Sequence, residues 1–542
     1  MVENKPTAGI GIDLGSSSVR VSLFNFQNDQ IIAYKIKTVP YYFTPESTNW
    51  KYTQSSREIL TAIDQCFQEL NIDKHEIKSC GVGATCSLAI FQTKDNALIP
   101  WNLDDPDKNV VFWMDSIAIK ETQEVNKLAT PEVQAHMGGS FVPEMAVPKL
   151  RHFIDILKNT DNNSTFEIID LHRYIAMSLA QQNGWDYTNV CNFPNLNEIG
   201  HDGELAGWSS AFYENVLQLP PNIVIGPTKH SQHSSKQGLK VSSCIDCYSN
   251  WFALLPSNLQ NSLFIVGGTS TCYLYASSEF SHHIPGVWGP FSNIFDRSDQ
   301  FSIYEAGQSC TGKLIEHLFK THPASSHIDT RDWPHLFSQI NDFIEKVEQN
   351  TQDSIHMQTK HMFFYGDLDG NRTPYADPSM SGMFIGETTD TSFRNLVYKY
   401  VSILEFIAFQ IKHMLAIFNT LNGDEDISNL QFCGSLAKNK RLLNLLALLN
   451  PRLRIAMPEM DVALMGAYGS YLMGKASTSD KSIVEVAHNQ TYSYRPPEKT
   501  DGLLVELLEV KYQIYFNMAE QQRKYRKQVN NVIENRTKLD KN

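Results

Sequence analysis

Two stretches far apart in the chain follow the same short plan, and that plan constrains the fold most. In the first, Ile10, Ile12 and Leu14 alternate as one face of a strand. A turn of small residues follows, Gly15-Ser16-Ser17-Ser18. Val19, Val21 and Leu23 then read as a second strand, whose alternation stops at Asn25. The second stretch, Leu263-Phe-Ile-Val-Gly267-Gly268-Thr269-Ser270-Thr271-Cys-Tyr-Leu-Tyr, is again strand, small polar turn, strand. Two lobes that each open this way indicate duplication at domain scale, not a short-period repeat. The 542 residues are enough for about three ordinary domains or two large ones, each able to bury a core without covalent staples.

Between these landmarks the pattern alternates. Ile59, Ile63, Phe67 and Leu70 predict a helix over 56–70, with Ser55 and Glu58 as a capping box. Residues 79–92 return to strand character, and 110–240 are mixed and mostly helical, with polar loops around 159–165 and 227–239. The polar run 229–236 sets a boundary there. A long helix is expected over 392–422. Residues 429–474 read strand, Gly434 turn, helix, strand and a small-residue helix at Gly466-Ala467. The stretch 502–530 predicts an amphipathic outer helix.

Composition excludes whole classes. The charge is 46 − 59 = −13, which argues against a nucleic-acid protein and weakly against anionic membranes. No apolar run reaches the ~18 residues of a membrane span. Met1 to Ala8 lack the basic and apolar regions of a signal peptide. The nine cysteines are scattered and odd in number, as expected for reduced thiols in a cytoplasmic protein. Cys244 and Cys247 form one C-x-x-C without a second pair, a weak basis for zinc or redox chemistry. The 17 histidines show no cluster of metal-ligand spacing, and His230 and His233 fall in a polar linker.

The two turns carry the chemistry. Asp13 ends a strand beside Gly15 and three hydroxyls, a set that offers backbone and side-chain donors to a phosphate and a carboxylate to Mg²⁺ through water. A hairpin turn without a ligand is the competing reading of that segment alone. Gly267-Gly268-Thr269-Ser270-Thr271 repeats the chemistry, and two such turns suit a nucleoside triphosphate clamped between lobes. There is no G-x-x-x-x-G-K-[ST] phosphate loop.

In this order along residues 8–475, the chain resembles the FGGY family of carbohydrate kinases. The segments that carry the resemblance are Gly11-Ile-Asp13-Leu-Gly15-Ser-Ser-Ser-Val-Arg20, Ala84-Thr85-Cys86-Ser87-Leu88, Trp113-Met114-Asp115, Glu144-Met145 with Pro148-Lys149-Leu150, Gly268-Thr269-Ser270-Thr271, and Val287-Trp288-Gly289-Pro290. Glu305-Ala-Gly307-Gln308-Ser309 with Gly312-Lys313-Leu314, Gly370-Asn371-Arg372-Thr373-Pro374 with Ala376-Asp377-Pro378, Gly434-Ser435-Leu436 with Lys438-Asn439, and Gly466-Ala467 complete the set. The Ala-Thr-Cys-Ser-Leu, Trp-Met-Asp and Gly-Asn-Arg-Thr-Pro segments look most like the D-ribulose kinase subgroup, which uses ATP and Mg²⁺.

The resemblance implies an α/β, two-lobed actin/hexokinase-like (ribonuclease H-like) ATPase fold with a cleft between lobes. It implies an N-terminal lobe over 8–237, a C-terminal lobe over 238–476 and a helical tail over 477–542. It also implies roles. Asp246 falls where the family's catalytic base opens the second lobe, and Asp13 would position the metal. Gly15, Ser16, Ser17, Gly268, Thr269 and Ser270 would line the phosphates, and Arg20 matches an arginine of the first phosphate motif. Gly312, Gly434, Ser435 and Asn439 would frame the adenosine. Thr85, Asp115, Glu305 and Gln308 are the sugar-site candidates. The expected partner is a small sugar, with neither nucleic acid nor membrane, and the outer helix is a possible homodimer contact.

Several positions depart from the family pattern. Gly83 stands where an Asp is usual, Ser116-Ile117 where a His and often an Arg follow, and Asn192 where a Lys is common. Cys247-Tyr248-Ser249-Asn250 replaces small residues and glycines, and Ala306 and Ser435 replace glycines. The nucleotide motifs are largely intact while the sugar-facing ones are altered. Three readings follow: an active ketopentose kinase, a relative that binds nucleotide without turnover, and an actin-like ATPase acting on proteins. The last fits the Gly-Asn-Arg-Thr-Pro and Glu-Ala-Gly-Gln-Ser segments least.

Overall fold

In a computed structural model of the chain, the first alternating segment forms a hairpin, β1 (Thr7–Leu14) and β2 (Ser18–Asn25), extended antiparallel by β3 (Ile31–Thr38). The structure describes all residues except 1–4, 96, 161–163, 188–202, 227–238, 256–258, 279–281, 293, 296–300, 424, 480, 488–490, 496–501 and 540–542. The departure at Asn192 and the boundary run 229–236 therefore lie outside the described residues.

The chain divides into two compact units. One comprises 1–266, 274–306 and 458–492; the other comprises 267–273, 307–457 and 493–542. They are interleaved rather than consecutive pieces parted at 237/238, because a late helix, Met465–Ser479, returns to the first sheet.

In the first unit, a six-stranded sheet runs in the order Asp186–Tyr187, Lys240–Ile245, Glu76–Ala84, β1, β2, β3. Its first four strands are parallel neighbours. The even positions of β1, from Ala8 to Leu14, join Val19, Val21 and Leu23 in a core completed by α1 (Ser56–Leu70). Ser55 caps α1 by accepting the Glu58 N–H at 3.3 Å. The reciprocal half of the expected capping box is not made; the Glu58 carboxylate accepts the Tyr42 hydroxyl at 2.8 Å instead. The odd positions of β1 face Met465–Ser479. There the helix backbone comes so near that a Cβ on Gly11 would lie 1.8 Å from the Ala467 carbonyl oxygen. A Cβ on Gly81 would meet the Ser470 carbonyl oxygen at the same distance. Glycine is thus a condition of the packing on that face. A second sheet in this unit is ordered Ile223–Ile225, Thr165–Asp170, Leu88–Lys94, Val110–Val111, Tyr52–Gln54, Tyr42–Phe43, with Ala97–Pro100 also paired to Leu88–Lys94.

The second unit is built around the helix Phe393–Asn419. That helix is long and apolar enough to cross a membrane by length and composition, although no uninterrupted apolar run in the sequence is. Most of it is buried inside the protein, and its interior carries a fully paired charge. Glu405 meets Lys511 at 2.5 Å and His356 at 2.7 Å. The expected outer helix runs over Gly502–Leu539. It packs rings against the central helix, with Phe409 and Tyr512 centred 5.7 Å apart and His413 and Phe516 4.6 Å apart.

Candidate functional site

The register of the first sheet sets the site. Asp13 on β1 lies beside Gly83, and Gly83 beside Cys244, so Asp13, Thr85 and Asp246 all fall at the carboxyl ends of parallel strands. That is where open α/β sheets place their ligands. Asp246 is the first residue of the helix Asp246–Phe252 and is only partly buried. Burial foremost, then the negative charges of Asp13 and Glu305, push its carboxyl up to about 7, against two backbone N–H groups that pull it down. An acid near neutrality that keeps a path to solvent can gain and lose a proton during turnover.

Asp13 is buried, which raises its carboxyl, while Arg20 opposes the rise with an Nη1–Oδ2 contact of 3.3 Å. Gly466 makes room for it, since a Cβ there would stand 2.5–2.7 Å from the Asp13 carboxylate. Ser16 and Ser17 sit at the tip of the turn that Gly15 closes with its N–H to the Ser18 carbonyl at 3.0 Å. Trp113 Nε1 donates to Ser16 Oγ at 3.0 Å, and Gln54 holds the Ser16 carbonyl at 3.3 Å. Ser17 is exposed.

The sugar-site candidates fare differently. Thr85 is buried, its hydroxyl 3.0 Å from that of Ser87, which in turn accepts the Trp113 N–H at 3.0 Å. Glu305 is buried on the strand Ser302–Gln308 with the Tyr248 hydroxyl at 3.4 Å. Asp115 departs from the expected role. It is fully buried, and its two oxygens accept the N–H groups of Lys51 at 2.6 Å, Tyr52 at 2.8 Å and Ile117 at 3.0 Å. A carboxylate saturated by backbone donors staples its loop and has little left for a polyol.

Two departures from the family pattern explain each other. A Cβ on Gly83 would lie 2.5 Å from Ser249 Oγ and 2.9 Å from Ser470 Oγ. Ser249 Oγ also donates to the Asp246 carbonyl at 2.8 Å. The serine on the helix therefore occupies the space that a side chain at 83 would need.

In the second unit, the turn at Gly268–Ser270 is tied to the start of the helix Gly312–Thr321. Gly312 N–H donates to the Gly268 carbonyl at 3.0 Å, and Thr311 and Lys313 N–H donate to the Thr269 carbonyl at 3.0 and 3.1 Å. Gly434 takes φ +85°, and a Cβ there would meet the Gly267 carbonyl at 2.4 Å. These glycines bring three backbone segments together and leave Thr269 and Ser435 exposed. Asn439 is engaged differently from expectation: its Oδ1 caps the helix Lys440–Leu449, and its Nδ2 donates to the Tyr400 hydroxyl at 2.8 Å. Gln308 is buried with neither amide atom hydrogen-bonded among the described residues, which fits a side chain reserved for a ligand.

Sequence reasoning missed the groups that hold these residues in place. The Gly466 gap shows no side-chain signal. Beneath the first sheet, His172 bridges Glu204 at 2.6 Å and Ser243 at 2.9 Å, three residues before Asp246. Arg173 stands 3.4 Å from Glu204 and 3.5 Å from Asp170. Burial pushes the Glu204 carboxyl up, but the charges of His172 and Arg173 hold it far below the usual range.

Residues 8–239 match the N-terminal domain of the FGGY family of carbohydrate kinases, and residues 263–469 match its C-terminal domain. The chain is 44% identical to Protein MPA43 of Saccharomyces cerevisiae (strain ATCC 204508 / S288c), over 97% of this chain and 98% of that protein. It is 28% identical to D-ribulokinase YDR109C of the same organism, over 87% of this chain and 72% of that protein. The ligand-bound xylulose kinase from Lactobacillus acidophilus superposes with a TM-score of 0.68 at 14% identity, covering 95% of this chain and 98% of that one. At that identity the likeness is one of fold, the two-lobed actin/hexokinase-like α/β architecture.

Proposed function

The chain belongs to the FGGY family of carbohydrate kinases, which transfer phosphate from ATP to sugars, and from that premise we propose that its acceptor is a ketopentose, D-ribulose foremost, with Asp246 as general base. The observation that carries this reading is the Asp246 carboxyl. It opens a helix at the carboxyl ends of parallel strands, where burial foremost, and then the charges of Asp13 and Glu305, raise it to about 7. The likeness to a D-ribulokinase supports the choice of acceptor.

In the proposed reaction, the Asp246 carboxylate takes the proton from the terminal hydroxyl of the sugar. That oxygen forms a bond to the γ-phosphorus as the bond to the β-phosphate oxygen breaks, leaving ADP. Ser16, Ser17 and Arg20 on the first turn, and Gly268, Thr269 and Ser270 on the second, supply donors for phosphate oxygens. Gly312, Gly434 and Ser435 supply open backbone for the adenosine. Thr85, Glu305 and Gln308 offer the sugar both acceptors and donors. Asp13 fits Mg²⁺, because Arg20 reaches only its Oδ2 and no hydrogen bond to Oδ1 is made among the described residues. When bound, that ion would neutralise charge on the phosphates.

A second reading has its own observation. Ser249 packed against Gly83 excludes the carboxylate usual at position 83. A chain that binds nucleotide without phosphorylating sugar would fit that loss. One assay separates the two: purified protein with ATP, Mg²⁺ and a panel of pentuloses, polyols and hexoses, read as sugar-dependent ADP release. Turnover greatest with D-ribulose and lost in Asp246→Asn supports the kinase. ATP binding with no turnover on any sugar supports the second reading.

A further inference from the structure

In the second unit, the helices Trp333–Thr351, Phe393–Asn419, Lys440–Leu449 and Gly502–Leu539 all contribute to the wall of a cavity of about 380 Å³. That volume falls within the roughly 300–1,000 Å³ of small-molecule pockets. Ile355, Val401, Leu404, Leu445 and Leu504 line it, and all five are buried. Native interiors hold few voids larger than a water molecule, and an aliphatic chamber of this size suits an apolar guest. None of the residues given a role in phosphoryl transfer lines it.

The mouth of the chamber is acidic. Glu348 and Ser354 line both the cavity and an open depression beside it, whose other walls are Glu345, Gln349, Gln352 and Asp353. Arg441 on the cavity wall is already engaged: its Nη1 meets Glu348 at 3.5 Å, and its Nε donates to Asn341 Oδ1 at 3.0 Å. His356, also on the wall, turns its Nδ1 to Glu405 at 2.7 Å. Glu345 and Asp353 are exposed and form no ion pair among the described residues. Two carboxylates are thus left uncompensated at the entrance to an aliphatic chamber.

We propose that this cavity is a binding site for a cationic amphiphile, an alkylammonium compound whose chain enters the chamber and whose head rests among Glu345, Glu348 and Asp353. Burial of the chain supplies the affinity, and the carboxylates select the head. The same features reject the reactants of a sugar kinase. An aliphatic wall leaves sugar hydroxyls without partners, and the acidic rim repels phosphates. A fatty carboxylate fits the chamber equally well but meets the rim with like charge, because Glu348 already neutralises Arg441.

Isothermal titration of the full chain with decylammonium, below its micellar concentration, tests this. The expected result is one site per chain that binds decylammonium about fivefold or more tighter than decanol, and tighter still than decanoate, with the preference shrinking in molar salt. The double variant Glu345→Gln, Asp353→Asn should bind decanol unchanged and lose most of that preference. Ala447→Trp and Val505→Trp, at half-buried positions on two different helices, each put an indole into the chamber and should abolish binding of all three compounds. Far-UV circular dichroism identifies a variant that fails to fold, and the other then carries the test. Absence of one-site binding by decylammonium, or binding that survives a folded tryptophan variant, overturns the site. Decanol or decanoate binding as tightly as decylammonium overturns the charge class. Neither result depends on kinase turnover.

Discussion

Asp246 and its neighbours make the sharpest predictions at the scale of single residues. A base held at about 7 must be ionised to act, so kcat/KM should fall about tenfold per pH unit below that value and level off above it. Asp246→Asn should lower sugar-dependent turnover about 10²–10⁴-fold and remove that limb of the profile. The same substitution has an opposite sign for stability. A carboxyl whose value is raised by folding stabilises the folded state as pH falls and weakens it once ionised. Asp246→Asn should therefore melt higher than wild type at pH 8, by about 1 °C if the relief is roughly 1 kcal/mol, and no higher at pH 4. The Gly83–Ser249 contact makes a further claim. Gly83→Ala should be destabilising alone and much less so in Ser249→Gly, a coupling of about 0.5–3 kcal/mol in a double-mutant cycle read by urea unfolding.

The elements were legible in proportion to how local their causes are. The β1–β2 hairpin, α1 and the helix Phe393–Asn419 follow from side-chain periodicity and caps, which the sequence displays directly. Asp13 could be named because it ends a readable strand, whereas Asp246 was named only through the family resemblance. Asp115 and Asn439 could not be judged that way, since what distinguishes a ligand contact from a loop staple or helix cap is where distant backbone donors fall. The cluster of His172, Arg173, Asp170 and Glu204 was invisible for the same reason: its partners come from separate elements and no pattern marks them. It should nonetheless be costly to break. Glu204→Gln leaves Arg173 and His172 buried with one carboxylate fewer, and should cost about 3–5 kcal/mol in urea unfolding.

At the scale of the molecule, the glycines on the sheet and the helix Met465–Ser479 explain why the chain does not fold as consecutive halves. Strands near the start present bare backbone, and only a helix contributed almost at the end can lie against it. Gly11→Ala should destabilise the first unit by about 1–3 kcal/mol or more, because the helix carbonyl cannot yield without moving the helix. A fragment ending before Met465 should be more open to protease across residues 7–84 than the full chain, although every strand of that sheet is present in it. Domains usually fold in the order in which the ribosome releases them. Here the earliest strands to emerge must wait for nearly the whole message to be read before their last neighbour arrives. The nascent chain therefore spends most of its synthesis with that glycine-lined surface uncovered, and its handling during translation is a demand imposed by a helix that has not yet been made.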